Sequence, residues 1–547
     1  MTDRKKKHTY SLGVVLLALI IGLLVGVMYA PRVGVNHFVG QNGGTSLGAR
    51  VDNVMQYVGA AYVDDVDYDS VSEVMMTALM SSLDPHSCYL TPKMVKEEDE
   101  MMNSNFEGVG ILLYYYGDTV CVSSIVPHSP ASRVDIRPGD RIMYVDTTRV
   151  SGRGLTEEPS QIVNMIRGPR HSMVTIGVQR KGSKKLKYVK IQRDVIQQSS
   201  IPAALMLDKQ TGYIYISHFS LTTGTEFRAA LLQLNREGMK HLVLDLRGNP
   251  GGSLGTAVSV ADELLPKGDL IVYTEGAHSR REDAKATAGG LFETGRLTVL
   301  INSYSASASE IVSGAVQDND RGVVVGHRSF GKGLVQRQFE LPDGAAMRLT
   351  IARYYSPSGR CIQRPYDKGG DEYYSDWLTE VMKDYMMTDS VLRHAYDTTN
   401  LFYTKKGRKV YGGGGIQPDV SLPYFVDTNL VYFNKLIDSK AFEETLMDEL
   451  FEEYDNIVKR YPTLEDFVKG YEISETTWQK LLAKADKRDV HPDKKSIEKY
   501  GKEMRARYKA QMAKSLFGEN AYYDIIWPYD IELQKALRVA PLKLKNK

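Results

Sequence analysis

The chain of 547 residues has only three cysteines, Cys88, Cys121 and Cys361, with no CxxC pair among them. That excludes a disulfide framework and gives no support to a thiolate zinc site, so buried free thiols are expected. Its eleven histidines include no HExxH and no pair at ligand spacing, which argues against a metalloenzyme. An excess of one charge is also lacking. Sixty-nine basic against 67 acidic residues leave a net +2 at pH 7, which makes no global electrostatic case for nucleic acid. A hydrophobic share of 42% and a charged share of 25% are those of a folded protein, and the length calls for several domains.

A nucleotide site is nearly present and then fails. In "VVVGHRSFGKG" (residues 323–333) Gly326 is followed after four residues by Gly331-Lys332, the spacing of a phosphate-binding loop. Such a loop opens a helix and carries Ser or Thr after its lysine to hold magnesium. Here Gly333 stands in that place, and "LVQRQFELPDGAAMRLTIARYY" alternates as a strand pair turning at "PDG". No nucleotide is expected. Lys332 is free for another task.

Charge is absent from one further stretch. After Arg4 to Lys7 no Lys, Arg, Asp or Glu occurs until Arg32. The run is long enough to cross a bilayer as a helix, and the basic residues before it would hold the N-terminus inside. The expectation is a single cytoplasmic-membrane anchor over 9–30, with the bulk of the chain extracytoplasmic, in a periplasm. A cleaved signal peptide is the competing reading, disfavoured by the length of the run and by "VMYA" as a cleavage site.

Downstream, "PRVGVNHFVGQNGGTSL" reads as a tether, and apolar spacing of three and four returns over residues 48–105 as helices. "FEGVGILLYYYGDTVCV", "RPGDRI", "PSQIVNMIRG" and "SMVTIGVQRKGSKKLKYVKIQR" read as strands, a tight turn, a helix and a hairpin. Their order resembles a PDZ domain in the permuted form common in bacterial proteases. A loop such as Gly108-Val109-Gly110-Ile111 can aim N–H groups at a terminal carboxylate beside an open strand edge. Arg167, in the turn after the helix, could reach polar groups of the neighbouring core. A small β domain with no ligand is the plainer alternative.

From about Gly212 strands alternate with helices, as in an α/β core. "YSASASEIVSGAVQD" puts Ser305, Ser307 and Ser309 at a strand-to-helix junction, where the helix dipole favours an oxyanion nearby. Alone, that pattern is more often an N-cap. A nucleophilic serine needs a base. No histidine stands in a triad motif, although position alone does not exclude His218 or His327. Lys332 in "FGKG" has small or apolar neighbours, and burial would lower its pKa enough to free the amine. Gln336 lies four residues on and could orient it. The glycines of "DLRGNPGG" can offer free N–H groups.

These pieces together resemble the carboxyl-terminal processing, or tail-specific, proteases of the Ser-Lys type. The matching motifs are "LDPHSCYL", "FEGVGI", "RPGDRI", "DLRGNPGG", "SASASEI", "FGKGLVQ" and "GGGGIQPDV", in the family's order over roughly residues 52–424. The resemblance implies Ser307 as nucleophile, Lys332 as general base and Gln336 as its partner. The oxyanion hole would use the Ala308 N–H with Gly251 or Gly252, between which the sequence does not choose. It implies a mixed α/β, multidomain fold: a ClpP/crotonase-like spiral of ββα units carrying an inserted PDZ domain, N-terminal helices that often make a homodimer interface, and here a C-terminal helical extension. The organisation expected is a basic N-terminus at 1–8, anchor 9–30, linker 31–47, helices 48–105, PDZ domain 106–195, protease core 196–424 and extension 425–547. An acidic, aromatic insertion near 366–405 and the extension itself depart from the family. The function implied is a serine endopeptidase without cofactor or metal, acting on exported proteins with free, apolar C-terminal tails. The alternative is a non-catalytic PDZ scaffold or apolar-ligand carrier on the same fold.

Overall fold

The strand His241–Asp245 is buried at every position, as its unbroken apolar run requires. It lies within a six-stranded sheet in a computed structural model that describes residues 46–152, 158–386, 400–423 and 427–539. The order is Ala203–Met206, Thr211–Tyr215, His241–Asp245, Arg296–Ile301, Val323–Gly326, Val420–Ser421, with all but the first pair parallel. Alternate side chains feed two apolar layers. Leu242, Leu244, Val299 and Ile301 pack with the helices Thr223–Arg236, Leu254–Asp262 and Ala308–Asp318. On the other face Val243, Leu300 and Val325 pack with Leu533 and Ala536 near the end of the chain.

A second, antiparallel sheet supplies the rest of this core. Leu334–Glu340 pairs with Ala346–Tyr355 from Glu340 opposite Ala346, which makes "PDG" the hairpin turn. Cys88–Leu90 and Leu270–Gly276 also pair with Ala346–Tyr355. The stretch after residue 366 forms the helix Gly370–Met386 and the strand pair Leu401–Tyr403 with Lys409–Tyr411.

The block between Gly108 and Asp194 is a separate antiparallel sheet. Its order is Ile111–Tyr116, Thr119–Ile125, Arg141–Val145, Met173–Gln179, Lys187–Gln192, closed by the helix Pro159–Ile166. Val122, Ile142, Val174, Ile176 and Val178 form its interior. Entry and exit pair as two strands, Asn105–Gly108 with Asp194–Gln197, the paired stem of an inserted domain.

Beyond residue 427 the described chain is helical and has its own core, including Leu436, Leu450, Trp478, Leu481, Met504 and Tyr508. Cys121 and Tyr114 of the inserted block join that cluster. Arg137 donates two hydrogen bonds to Asp455, at 2.5 and 3.1 Å, and Arg141 donates one to Asp448 at 3.2 Å. Gly139 (φ +87°) lies so close to this helix that a Cβ would come 2.6 Å from the Leu450 carbonyl carbon. Gly139→Ala is therefore expected to destabilise by about 2 kcal/mol, read as a lowered urea midpoint. Gly117→Ala, at φ +56° with open space around it, should cost less.

The chain divides into two units, residues 1–79 and 80–547. In the first, Ser46 caps the helix Leu47–Ala61 by accepting the Ala49 N–H. The membrane expectation is corrected here. Residues 9–30 lie outside the described residues, and among the described residues no helix is long and apolar enough to cross a membrane. An anchor, and the extracytoplasmic placement inferred from it, therefore have no structural support. The apolar run and the basic residues Arg4 to Lys7 before it were the basis for both.

Candidate active site

Ser307 sits where the strand Arg296–Ile301 turns into the helix Ala308–Asp318, a helix with no exposed face. Small residues make that burial feasible. Its backbone has φ 52° and ψ −111°, in a sparsely populated region that strains a non-glycine residue. The surroundings hold it there. The Ser307 N–H donates to Glu310 Oε2 at 2.8 Å, and Ser305 Oγ donates to the Leu246 carbonyl at 2.7 Å. Gly251 passes so near that a Cβ on it would lie 2.7 Å from Ser307 Cβ.

Ser307 lines a cleft of about 390 Å³ together with Gly251, Gly252, Lys332 and Gln336. The Lys332 amine donates to Gln336 Oε1 at 2.8 Å, and Gln336 Nε2 donates to the His86 carbonyl at 2.5 Å. That second bond fixes which end of the amide faces the lysine. Lys332 precedes the strand, which begins at Leu334, so strand alternation alone does not explain the pairing, and the bond to His86 holds the Gln336 amide in place. Burial lowers the Lys332 pKa from the usual amine value, helped by the Arg348 charge.

The loop "DLRGNPGG" distinguishes its two glycines. The Gly251 N–H is occupied by Asn249 Oδ1 at 2.8 Å. For the N–H groups of Gly252 and Ala308, no acceptor is found among the described residues.

The histidines left open by the sequence are engaged elsewhere. His218 borders the cleft, but its two ring nitrogens bond Ser104 at 3.2 Å and Ser217 at 3.0 Å. His327 bonds Glu532 at 2.7 Å.

In the inserted block Val109 and Gly110 accept the Ala131 and Val126 N–H groups, both at 2.9 Å. Gly108 pairs with Asp194, and Ile111 begins the strand at the sheet's edge. Arg167 lies in the turn that follows the helix Pro159–Ile166. It pairs with Glu100 at 2.9 Å, on the helix Pro92–Met102, and its guanidinium lies 4.4 Å from the Phe106 ring centre. The same helix sends Glu98 to Arg348, at 3.1 Å, on the cleft wall.

A family model described as peptidase family S41 matches residues 210–368, and one described as a PDZ domain matches residues 121–180. A carboxy-terminal-processing protease of Bartonella bacilliformis is 36% identical over 322 residues, which are 58% of this chain and 72% of that relative. The chain belongs to peptidase family S41. A Staphylococcus aureus relative named "Probable CtpA-like serine protease" is 33% identical over 317 residues, 57% of this chain and 62% of its own length. Among solved structures, a photosystem II D1 C-terminal processing protease is 24% identical, with a TM-score of 0.33, covering 69% of this chain and 88% of that one. Residues 432–518 match a family of unknown function. The S41 peptidase is thus a serine-type protease that carries a PDZ domain and a helical region.

Two groups in this S41 site escape a reading of the sequence. Glu310 is buried and accepts from Ser329 Oγ (2.6 Å) and from the N–H groups of Gly331 (2.7 Å), Lys332 (2.9 Å) and Ser307 (2.8 Å). Burial outweighs these bonds and pushes its carboxyl up to about 7. One carboxylate thereby joins the loops that carry Ser307 and Lys332. A signal for it existed: Ser307-x-x-Glu310 is the spacing of a capping box. Tyr354 makes a second link, donating to the carbonyls of Lys332 (2.6 Å) and Ser307 (3.1 Å). No local pattern announces it.

Proposed function

We propose that this S41 peptidase is an endopeptidase working through a Ser307–Lys332 dyad on proteins whose C-terminal tails its PDZ domain engages. The observation that carries the reading is the buried Lys332 amine, its pKa lowered and its donor directed by Gln336, in one cleft with a strained serine at a helix N-terminus. Neutral Lys332 takes the Ser307 hydroxyl proton as Oγ attacks the scissile carbonyl. The oxyanion of the tetrahedral intermediate is received by the Ala308 and Gly252 N–H groups. Gly252 is preferred to Gly251 because the Gly251 donor is already spent on Asn249. Lysine, now an ammonium, protonates the leaving amine, and water then hydrolyses the acyl-enzyme by the same route in reverse. Glycines flanking the edge strand Ile111–Tyr116 support the placing of a tail in the inserted block.

A peptide ending in a free carboxylate and an apolar residue should be cut, and EDTA should not change the rate. Amidating that terminus removes a charge-assisted hydrogen bond and should lower kcat/KM by roughly 10-fold or more. Equal cleavage of free and amidated tails would reject tail recognition, whereas no cleavage of either would favour a PDZ scaffold.

A further inference from the structure

The C-terminal helical region reaches the catalytic sheet from the face opposite the nucleophile helix. Leu533 and Ala536, on the helix Ile531–Arg538, pack with Val243, Leu300 and Val325, whereas Ala308 and Ile311 of the nucleophile helix pack on the other layer. Beside that contact lies a cluster of charged side chains that the reaction just described does not use. Arg247, at the exit of the strand His241–Asp245, donates to Asp245, to Asp530 (2.6 and 3.1 Å) and to Glu532 Oε2 (2.8 Å). The other oxygen of Glu532 bonds His327 Nε2 at 2.7 Å. His327 follows the strand Val323–Gly326 directly. Burial alone would raise the Glu532 pKa, but the His327 hydrogen bond and the Arg247 charge hold the carboxyl down to about 2.

Where the two arms of this carboxylate lead decides its meaning. Arg247 stands two residues before Asn249, whose carbonyl accepts the Ala306 N–H and Ser309 Oγ, both at 3.0 Å, and whose side chain holds the Gly251 N–H. His327 opens the loop that ends at Lys332, and in that loop the Phe330 N–H donates to the Ser305 carbonyl at 3.0 Å. The strands leading to these two loops are not neighbours. Between them runs Arg296–Ile301, which leads to Ser307. One carboxylate from the end of the chain therefore spans the nucleophile's strand and ties the oxyanion-side loop to the base-side loop.

We propose that Glu532 is a positioning residue for the Ser307–Lys332 machinery, acting through Arg247 and His327 from behind the sheet. The inference rests on the dyad reading above. It assigns a task to the C-terminal region of this chain: setting the distance between the oxyanion donors, the nucleophile and the base. Glu532 touches no substrate, so its loss should leave substrate binding intact and slow the chemical step.

The test uses the full chain, with Glu532→Ala, Glu532→Gln and Glu532→Asp assayed on an unstructured peptide beside the rate at which a fluorophosphonate labels Ser307. Small misplacements of reacting groups cost on the order of 10- to 100-fold. Glu532→Ala and Glu532→Gln are expected to lose that much kcat with KM unchanged and labelling slowed in parallel, and Glu532→Asp should recover most of it. Arg137→Ala, which loosens the same helical region at the inserted domain, should leave kcat on this peptide as in the wild type. Folded Glu532→Ala and Glu532→Gln proteins with wild-type kcat and labelling, whatever their melting temperature, would overturn the proposal. If neither folds, His327→Asn frees only the base-side arm, and unchanged kcat there overturns it equally. Wild type that neither cleaves nor labels at Ser307 would instead reject the dyad reading itself.

Discussion

Ser307→Ala is expected to abolish peptide cleavage, with a loss in kcat of at least about 10⁴-fold, while the protein stays folded. Three serines stand at this junction, and the structure separates their duties. Ser305 Oγ is engaged by the Leu246 carbonyl and the Asn302 N–H, and Ser309 Oγ by the Asn249 carbonyl. Those hydroxyls hold loops, so Ser305→Ala and Ser309→Ala should lower stability before they touch chemistry. Ser307 is the one of the three that lines the cleft. Alanine has the same backbone restrictions as serine, so the strained φ of 52° is neither relieved nor worsened. The thermal midpoint should therefore hardly move. Residual cleavage above trace level in purified Ser307→Ala, insensitive to fluorophosphonate, would remove Ser307 from the nucleophile's role.

Lys332→Ala should be as damaging, because nucleophile and base act as one unit. Lys332→Arg should not rescue it, since a guanidinium stays charged and cannot accept the proton. The pH dependence has a definite sign. A lysine acting as general base works as the neutral amine, and burial lowers the Lys332 pKa. Activity is thus present above that lowered pKa and is lost as pH falls through it, giving an acid limb below the ordinary lysine range. Glu310 complicates that limb, because burial pushes its carboxyl up to about 7. Converting Lys332→Cys to the thioether amine with 2-bromoethylamine separates the two groups. That amine is more acidic than lysine, so restored activity should show an acid limb moved to lower pH. Wild type treated in the same way controls for Cys88, Cys121 and Cys361. A limb that stays in place would assign the titration to Glu310 and leave Lys332 unproven as the base.

Much of this site was legible along the chain because its parts are local. The serine at a strand-to-helix junction, the lysine in "FGKG", the glycine turn after a buried strand and the "PDG" hairpin are each written within a dozen residues. Backbone geometry and apolar patterning act over that range. The mixed α/β class and the inserted β block follow from the same short-range rules, since buried parallel strands read as unbroken apolar runs and hairpins as alternation.

Local patterns say nothing of which loops meet. Whether Gly251 or Gly252 has a free N–H depended on the Asn249 side chain turning back on Gly251. The pairing of Arg167 with Glu100 was not legible, because Glu100 lies 67 residues away on a helix with no sequence tie to it. Gln336 was named for its spacing from Lys332, yet the bond that orients it comes from His86, 250 residues upstream. The 9–30 run shows the opposite limit: a strong local pattern invited a conclusion about the whole chain that nothing in the described fold supports. By itself the sequence determined which residues are candidates for reactive chemistry and which segments form strands, helices and turns, since those follow from side-chain type and short-range sterics. The tertiary structure alone decided which donors are spent and which stay free. It also placed Glu310 between the Ser307 and Lys332 loops, and Glu532 against Arg247 and His327. Burial and long-range hydrogen bonding set a group's charge and direction, and both arise only when distant parts of the chain are packed together.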